Sequence, residues 1–415
     1  MESFLDTKIK KLNGLNFFRL GIFFLPSTAL FSGIFLLIST IFAVRNNGGL
    51  NFRDKWNYPF ILVAILMLLS CINAFSGWLS WVGLANWIPL FWCFCGFQPF
   101  LNSSNLRKQA SFFLLAGTVP VLITGFGQLW FDWAGPWQLM NGLVIWFVSP
   151  GGQPEGRLSG LFDYANIAAA WLVVVWPFSL ASLISKNTSH LKRFFAFVMA
   201  ICIVAALVLT DSRNGWGGLV AAIPFVFGLS SWKWLLPLIF MFSLPIFLAV
   251  LPGIDQSIQE VARGLVPKGL WTRLTDIKFI DTRPVESTRL SQWKVALDLI
   301  KDRPLLGWGA AAFSVLYPLR KGLWHGHSHN LPLELAVSHG VLVSLILTGT
   351  ILFLLIKSLF EGVVNNNYSI FDRAWWTSAF LLVSLHATDI PMFDSRINLV
   401  GWILIAGIRS MIKRY

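Results

Sequence analysis

The sequence predicts an all-α integral membrane protein, a bundle of about eleven or twelve transmembrane helices with one long loop on its outer side. Three observations lead there. Of 415 residues 56% are hydrophobic and 12% charged, with mean hydropathy +0.67, too little charge to cover a soluble domain of this size. The apolar residues fall in repeated runs of about 20, the length that crosses a bilayer core. The Lys and Arg residues of the short loops are strongly biased to alternate loops, as the positive-inside rule requires. The 21 Trp and 37 Phe suit lipid-facing surfaces and interfacial belts. A net charge of +13, spread over such loops, points to lipid headgroups and not to nucleic acid.

Residues 1–14 form a basic head with Lys8, Lys10 and Lys11. No cleavable signal is expected, because the first apolar run continues too far and lacks a small-x-small site. Apolar runs follow near 17–44, 58–75, 83–101, 111–132, 160–185, 194–210, 215–230, 232–251, 333–356, 374–389 and 397–411. The odd-numbered gaps between them, with the C-terminal tail, hold 14 Lys/Arg; the short even gaps hold only Arg157, Arg213 and Arg396. The odd gaps are therefore cytoplasmic and the even ones face outward. A basic head on the cytoplasmic side conflicts with a single pass through 17–44. A helical hairpin broken at Pro26–Ser27 restores the parity. Cys71, Cys93, Cys95 and Cys202 all lie in apolar runs, so no disulfide framework is expected. There is no internal repeat or low-complexity tract.

The outward segment 252–331 separates bundle parts 1–251 and 332–415 of a single membrane domain. It carries eleven Lys/Arg against seven Asp/Glu. Within it, Ser287-Thr288 caps a helix from about Arg289 to Asp302, ended by Arg303-Pro304. Leu290, Trp293, Leu297 and Ile300 share one face, so this amphipathic helix is expected to lie on the membrane or over the bundle. The stretch 133–157, with Trp133, Trp137 and an apolar run at 143–148, reads as a second, partly immersed piece.

Four outward spots carry polar residues that a scaffold does not need: Arg157 to Asn166, Thr210 to Gly215 with Arg213, Arg289 with Pro304 to Gly309, and His325-Gly-His327-Ser-His329-Asn with Glu334. Arginine forks bind phosphate bidentately and keep their charge, and a nearby histidine takes up a proton near neutral pH. Together they suggest phosphoryl or pyrophosphate recognition beside acid–base chemistry. Asp163, Asp211 and Glu334 are far apart in sequence, so a metal-independent reaction without cofactors is expected. Plainer readings stand beside these. Arg157 and Arg213 also fit snorkelling interfacial anchors, Arg289 a surface charge, and Glu334 a complement to its helix dipole. The His-x-His-x-His pattern also fits a zinc site. His190, His339 and His386 are expected to be structural.

The chain resembles the O-antigen ligase and polymerase superfamily in five blocks, in order: 157–166 (RLSGLFDYAN), 211–216 (DSRNGW), 289–297 (RLSQWKVAL), 304–309 (PLLGWG) and 327–340 (HSHNLPLELAVSHG). The resemblance implies a GT-C-like bundle in a bacterial inner membrane. It also implies transfer of a glycan from a polyprenyl (undecaprenyl) diphosphate carrier to a hydroxyl of a lipid or glycan acceptor on the periplasmic side. The family's diphosphate-gripping arginines fall on Arg213 and Arg289, with Arg157 as a further candidate, and its essential histidine falls on His329. Asn166, His327 and Glu334 are the accompanying substrate-binding candidates. His339 stands where the family often has Glu, and Asn214 where it has a small residue. A repeat-unit polymerase shares the pattern. A small-anion, bicarbonate-like transporter is the alternative of another class, and a non-catalytic scaffold a third.

Overall fold

The computed structural model describes residues 14–46, 54–186, 189–275 and 284–412. Lys8, Lys10 and Lys11 of the basic head lie outside the described residues. What is described is almost wholly helical. The helices are α1 (Gly14–Phe24), α2 (Ala29–Asn46), α3 (Tyr58–Ile72), α4 (Trp78–Gly83), α5 (Ile88–Phe97) and α6 (Ser104–Trp130). A hairpin of β1 (Trp137–Leu139) and β2 (Val144–Trp146) comes next. It is followed by α7 (Ala165–Ile184), α8 (His190–Leu209), α9 (Arg213–Phe227) and α10 (Trp232–Val250). The outward segment forms α11 (Gln256–Leu265), α12 (Lys268–Leu274), α13 (Arg289–Asp302) and α14 (Ala312–Lys321). The chain ends in α15 (Leu331–His339), α16 (Val341–Ser358), α17 (Ile370–Leu385) and α18 (Ser395–Met411).

Each of the eleven long apolar runs of the sequence forms helix over most of its length. Among the described residues, seven helical stretches are long and apolar enough to cross a membrane; others, such as α1 and α2, are shorter. The break expected at Pro26–Ser27 is present, as a turn in which Thr28 N donates to Phe24 O at 2.8 Å. Gly21 lets the two arms of this hairpin touch: a Cβ there would sit 2.6 Å from Leu36 Cγ. The stretch expected to be an immersed piece is the short antiparallel hairpin, with Trp137 paired to Trp146. Met140, Leu143 and Phe147 are exposed on it, and Trp146 Nε1 donates to Ser27 O at 2.6 Å, joining it to the α1–α2 turn.

The pillar of the bundle is α7, which packs on α6, α8, α9 and α17 and is buried along nearly its whole length. Small residues make that possible, because packing in lipid rests on close backbone approach and van der Waals contact. A Cβ at Gly218 of α9 would stand 2.8 Å from Val173, and one at Gly215 would stand 3.2 Å from Ala169. Polar groups join α7 to its neighbours: Trp171 Nε1 donates to Thr118 Oγ1 at 3.0 Å and Ser378 Oγ to Val174 O at 2.7 Å. By contrast α10 exposes Phe240, Met241, Phe242 and Phe247.

The capped helix of the outward segment has the expected limits, with Thr288 Oγ1 accepting from Ser291 N and Arg303 as the C-terminal cap. It packs over the bundle, one of the two expected placements, and its apolar face is only partly covered there. Gln292, Val295, Ala296 and Leu299 pack against α14 and α15, whereas Leu290 and Leu297 point outward at 74% and 49% exposure. Ile300 of the expected face packs against the same cluster, so that face is divided between packed and exposed residues.

At the end of the bundle opposite the α15 N-terminus, Arg107 Nε donates to Asp372 Oδ1 at 2.7 Å, with both side chains 7% exposed. Arg107 also donates to Leu101 O, and Ser369 Oγ donates to the other carboxylate oxygen. Removing one partner strands a buried charge. Arg107→Leu is therefore expected to destabilise the protein by about 3–5 kcal/mol, read as a lower detergent-solubilised melting temperature. An unchanged melting temperature would contradict this account of the α6–α17 junction.

Candidate active site

Helices α7, α9, α13, α15 and α18 begin at the same end of the bundle. Their N-termini surround a cavity of about 1080 Å³ lined by Arg157, Asn166, Asp211, Arg213, Arg273, Arg289, Gln292, His325, His327, His329, Asp389 and neighbours. Helix N-termini carry unpaired N–H groups and the positive end of the dipole, so the cavity favours anions before any side chain is counted.

His329 stands on the loop preceding α15. Asn330 caps that helix, its Oδ1 accepting from Leu333 N at 3.0 Å. This loop is zipped to the chain leaving α17: Leu331 N donates to His386 O at 2.8 Å and Asn330 Nδ2 to Ala387 O at 2.9 Å. The zip brings His329 Nδ1 to 2.9 Å from Asp389 Oδ1. His329 has φ 55°, a left-handed backbone that costs a non-glycine residue roughly 1–3 kcal/mol and persists only where the surroundings impose it. With Nδ1–H donated to the carboxylate, Nε2 is the atom left to accept a proton.

Asp389 is the hub of the site. Burial alone raises its pKa, but the hydrogen bond and charge of His329 and the Ile390 amide outweigh it and hold the carboxyl at about 2. Its Oδ2 accepts from Asn166 Nδ2 at 3.4 Å and lies 4.0 Å from an Arg289 nitrogen. Asn166 Oδ1 in turn accepts from Arg157 at 2.7 Å, and Arg157 Nε donates to Thr210 O at 2.7 Å. Burial, with the nearby charge of Arg273, lowers the Arg157 pKa. Arg213 opens α9 behind the cap Ser212, and Arg273 Nε meets Asp211 Oδ2 at 3.1 Å.

Of the residues singled out in the sequence, Arg157, Asn166, Arg213, Arg289, His327 and His329 meet in this one cavity. Glu334 does not. It is buried behind the histidine loop, where its Oε2 accepts from Ser328 N at 2.9 Å, in the wall of a smaller cavity of about 330 Å³. His339 is buried with Nδ1 2.7 Å from Ser70 Oγ, and His386 Nδ1 donates to Leu382 O at 2.7 Å, so both hold packing contacts. Sequence reasoning missed Asp389 and Arg273. Thr388-Asp389 lies where the second-last apolar run ends on the side assigned outward, and that placement was its available signal.

His327, His329 and Asp389 each offer one ligand atom within 4.8 Å of the others, a geometry that accommodates a metal ion. The Nδ1 atoms of the two histidines already have partners, so such an ion would have to be met by the Nε2 atoms. His327 Nδ1 accepts from His329 N at 3.2 Å, and His329 Nδ1 is engaged by Asp389.

Beside this polar cavity lies an apolar one of about 630 Å³ between α16, α17 and α18, walled by Leu331, Leu335, Ile351, Trp376, Phe380 and Trp402. Its lining includes His386 and Ala387, separated from Asp389 in the chain by Thr388.

Comparison with known proteins finds similarity over part of the chain. The profile described as O-Antigen ligase matches residues 195–348, which include Arg213, Arg289 and His329. Over that stretch the chain is similar to the O-antigen ligase family. It is 24% identical over 281 residues to the ComP-specific O-oligosaccharyltransferase of Acinetobacter baylyi (strain ATCC 33305 / BD413 / ADP1). That match covers 66% of this chain and 46% of the relative, so the chain spans about half the relative's length. The seven long apolar helical stretches among the described residues make it a multipass membrane protein.

Burial, reinforced by the neighbouring His329, lowers the His327 pKa to about 4, against about 6.5 for a free imidazole. Between those values the unfolded chain binds a proton that the folded chain does not. Stability is therefore full above about pH 6.5 and falls as the pH drops towards 4. His327→Gln is expected to flatten the decline in melting temperature across that window. An unchanged slope would contradict a neutral, half-buried His327.

Proposed function

We propose that this protein transfers a glycan from a polyprenyl diphosphate carrier to an acceptor hydroxyl, without a metal, at the periplasmic face of a bacterial inner membrane. One observation carries the reading: the His329–Asp389 pair stands in an arginine-lined cavity that abuts an apolar slot. A polyprenyl diphosphate glycan has the same division into an oily tail, a dianionic link and a polar glycan.

In the proposed reaction the acceptor hydroxyl attacks the anomeric carbon and inverts it. The new bond joins the acceptor oxygen to the sugar, and the bond to the diphosphate oxygen breaks. His329 Nε2 takes the hydroxyl proton, and Asp389 holds the ring in the required tautomer and stabilises the imidazolium that forms. Arg213 and Arg289 neutralise the charge growing on the leaving diphosphate, helped by the helix N-termini. Arg157, braced by Asn166 and Thr210 O, adds positive charge near Asp389 and narrows the site. The apolar slot takes the polyprenyl tail.

The family profile and the activity named for the Acinetobacter relative support transfer of a preassembled glycan. Ligase and repeat-unit polymerase would use the same groups and differ in the acceptor. The crowding of charge at one end of the bundle, together with the proton-accepting pair, favours transfer over anion transport.

The test uses membranes of a deletion strain, which retain unused donor and acceptor, supplemented with purified protein. His329→Ala and Asp389→Asn are each expected to lower transfer about 100-fold or more. Arg289→Ala is expected to lower it by about the same factor through the leaving group. Unchanged transfer by His329→Ala, at normal accumulation, would refute the reading. Anion flux in liposomes with no transferase activity would replace it with transport. Prolonged EDTA treatment should leave the rate unchanged. A loss restored by zinc would reassign His327, His329 and Asp389 to a metal.

A further inference from the structure

Glu334 occupies the fourth position of α15, one place beyond the position from which a capping-box carboxylate answers its cap. The cap is Asn330, and the Glu334 carboxylate reaches past it to the Ser328 amide at 2.9 Å. Ser328 is fully buried, and its hydroxyl donates to Asn330 O at 3.1 Å. His329 N donates to His327 Nδ1 at 3.2 Å. Between these anchors His329 takes its φ of 55°, the conformation from which its ring meets Asp389. The anchor itself is firm, because Glu334 to His339 are all buried and Trp308 N and Gly309 N donate to Val337 O and Ser338 O.

From this geometry we infer that Glu334 is a positioning residue. Its carboxylate holds the Ser328 amide, and through it the left-handed turn that aims His329 at Asp389, and it takes no part in proton transfer or diphosphate binding. The role rests on His329 being the proton acceptor. The interaction requires an acceptor atom at this place but not a negative charge, since a backbone N–H is the partner. A side-chain amide is therefore a sufficient replacement, and an apolar side chain of similar volume is not.

The experiment compares Glu334→Gln and Glu334→Met with wild type in the deletion-strain membrane assay, at saturating and at limiting membrane lipid. Glu334→Gln is expected to keep at least half of the wild-type rate and the same pH profile. Glu334→Met is expected to lose tenfold or more of the saturating rate, with half-saturation shifted less than twofold. A fully active Glu334→Met overturns the proposal. So does a folded Glu334→Gln as impaired as Glu334→Met, which would make the charge itself the working feature. If Glu334→Met fails to accumulate, hydrogen exchange decides: retained Ser328 amide protection in Glu334→Gln is expected, and its loss overturns the role. An active His329→Ala would remove the parent reading. An inactive His329→Ala beside a fully active Glu334→Met would remove this role alone.

Discussion

The site depends on one hydrogen bond between two loops, from His329 to Asp389, 60 residues apart in the chain. A buried carboxylate is costly unless its lone pairs are met by donors, and Asp389 meets that requirement with the imidazole, the Ile390 amide and the Asn166 amide. The same contacts determine the chemistry. They hold the histidine in one tautomer and keep the carboxyl ionised. They also draw the start of α7 and the end of α17 onto the loop before α15. Remove the carboxylate, and a left-handed His329 backbone has less to hold it in place.

Around that bond the bundle sorts polarity along its length. Small residues on α7 and α9 bring helix backbones together, and the N-termini of α7, α9, α13 and α15 then gather at one end. Arginines enter a site already favourable to anions, and Asn166 and the Thr210 carbonyl hold the half-buried Arg157. The apolar slot beside α16 and α17 needs no polar satisfaction, so it can stay open to a hydrocarbon. An amphiphilic ligand would find the match for each of its parts in adjoining cavities. On the proposed reading, that adjacency lets a membrane-dissolved donor meet an acceptor outside the bilayer.

Much was legible from the chain alone, for reasons that are local. Hydrophobic run length and loop charge report the membrane bundle directly. Pro26 marks a break because proline lacks the N–H a helix needs, and Thr288 and Arg303 delimit α13 by capping chemistry. Arg157, Arg213, Arg289 and His329 stand out because charged groups between apolar runs are conspicuous. How α13 divides its apolar face was not legible. Its packed face is set by the shape of α14 and α15, which favours Val295 and Ala296 over Leu290 and Leu297. Glu334 was placed at the substrate because it lies five residues from His329. The helical turn instead carries it behind the loop.

The sequence by itself determined the solvent, the helices and the side on which the polar residues gather, because hydropathy, charge bias and capping act over neighbouring residues. Only the tertiary structure decided which carboxylate meets His329. Asp389, Glu334 and Asp211 are chemically similar in sequence, and spacing does not rank them. The loop zip of Leu331 to His386 and Asn330 to Ala387 does, since it leaves one carboxylate within hydrogen-bonding reach of the ring and turns another towards the backbone that carries it.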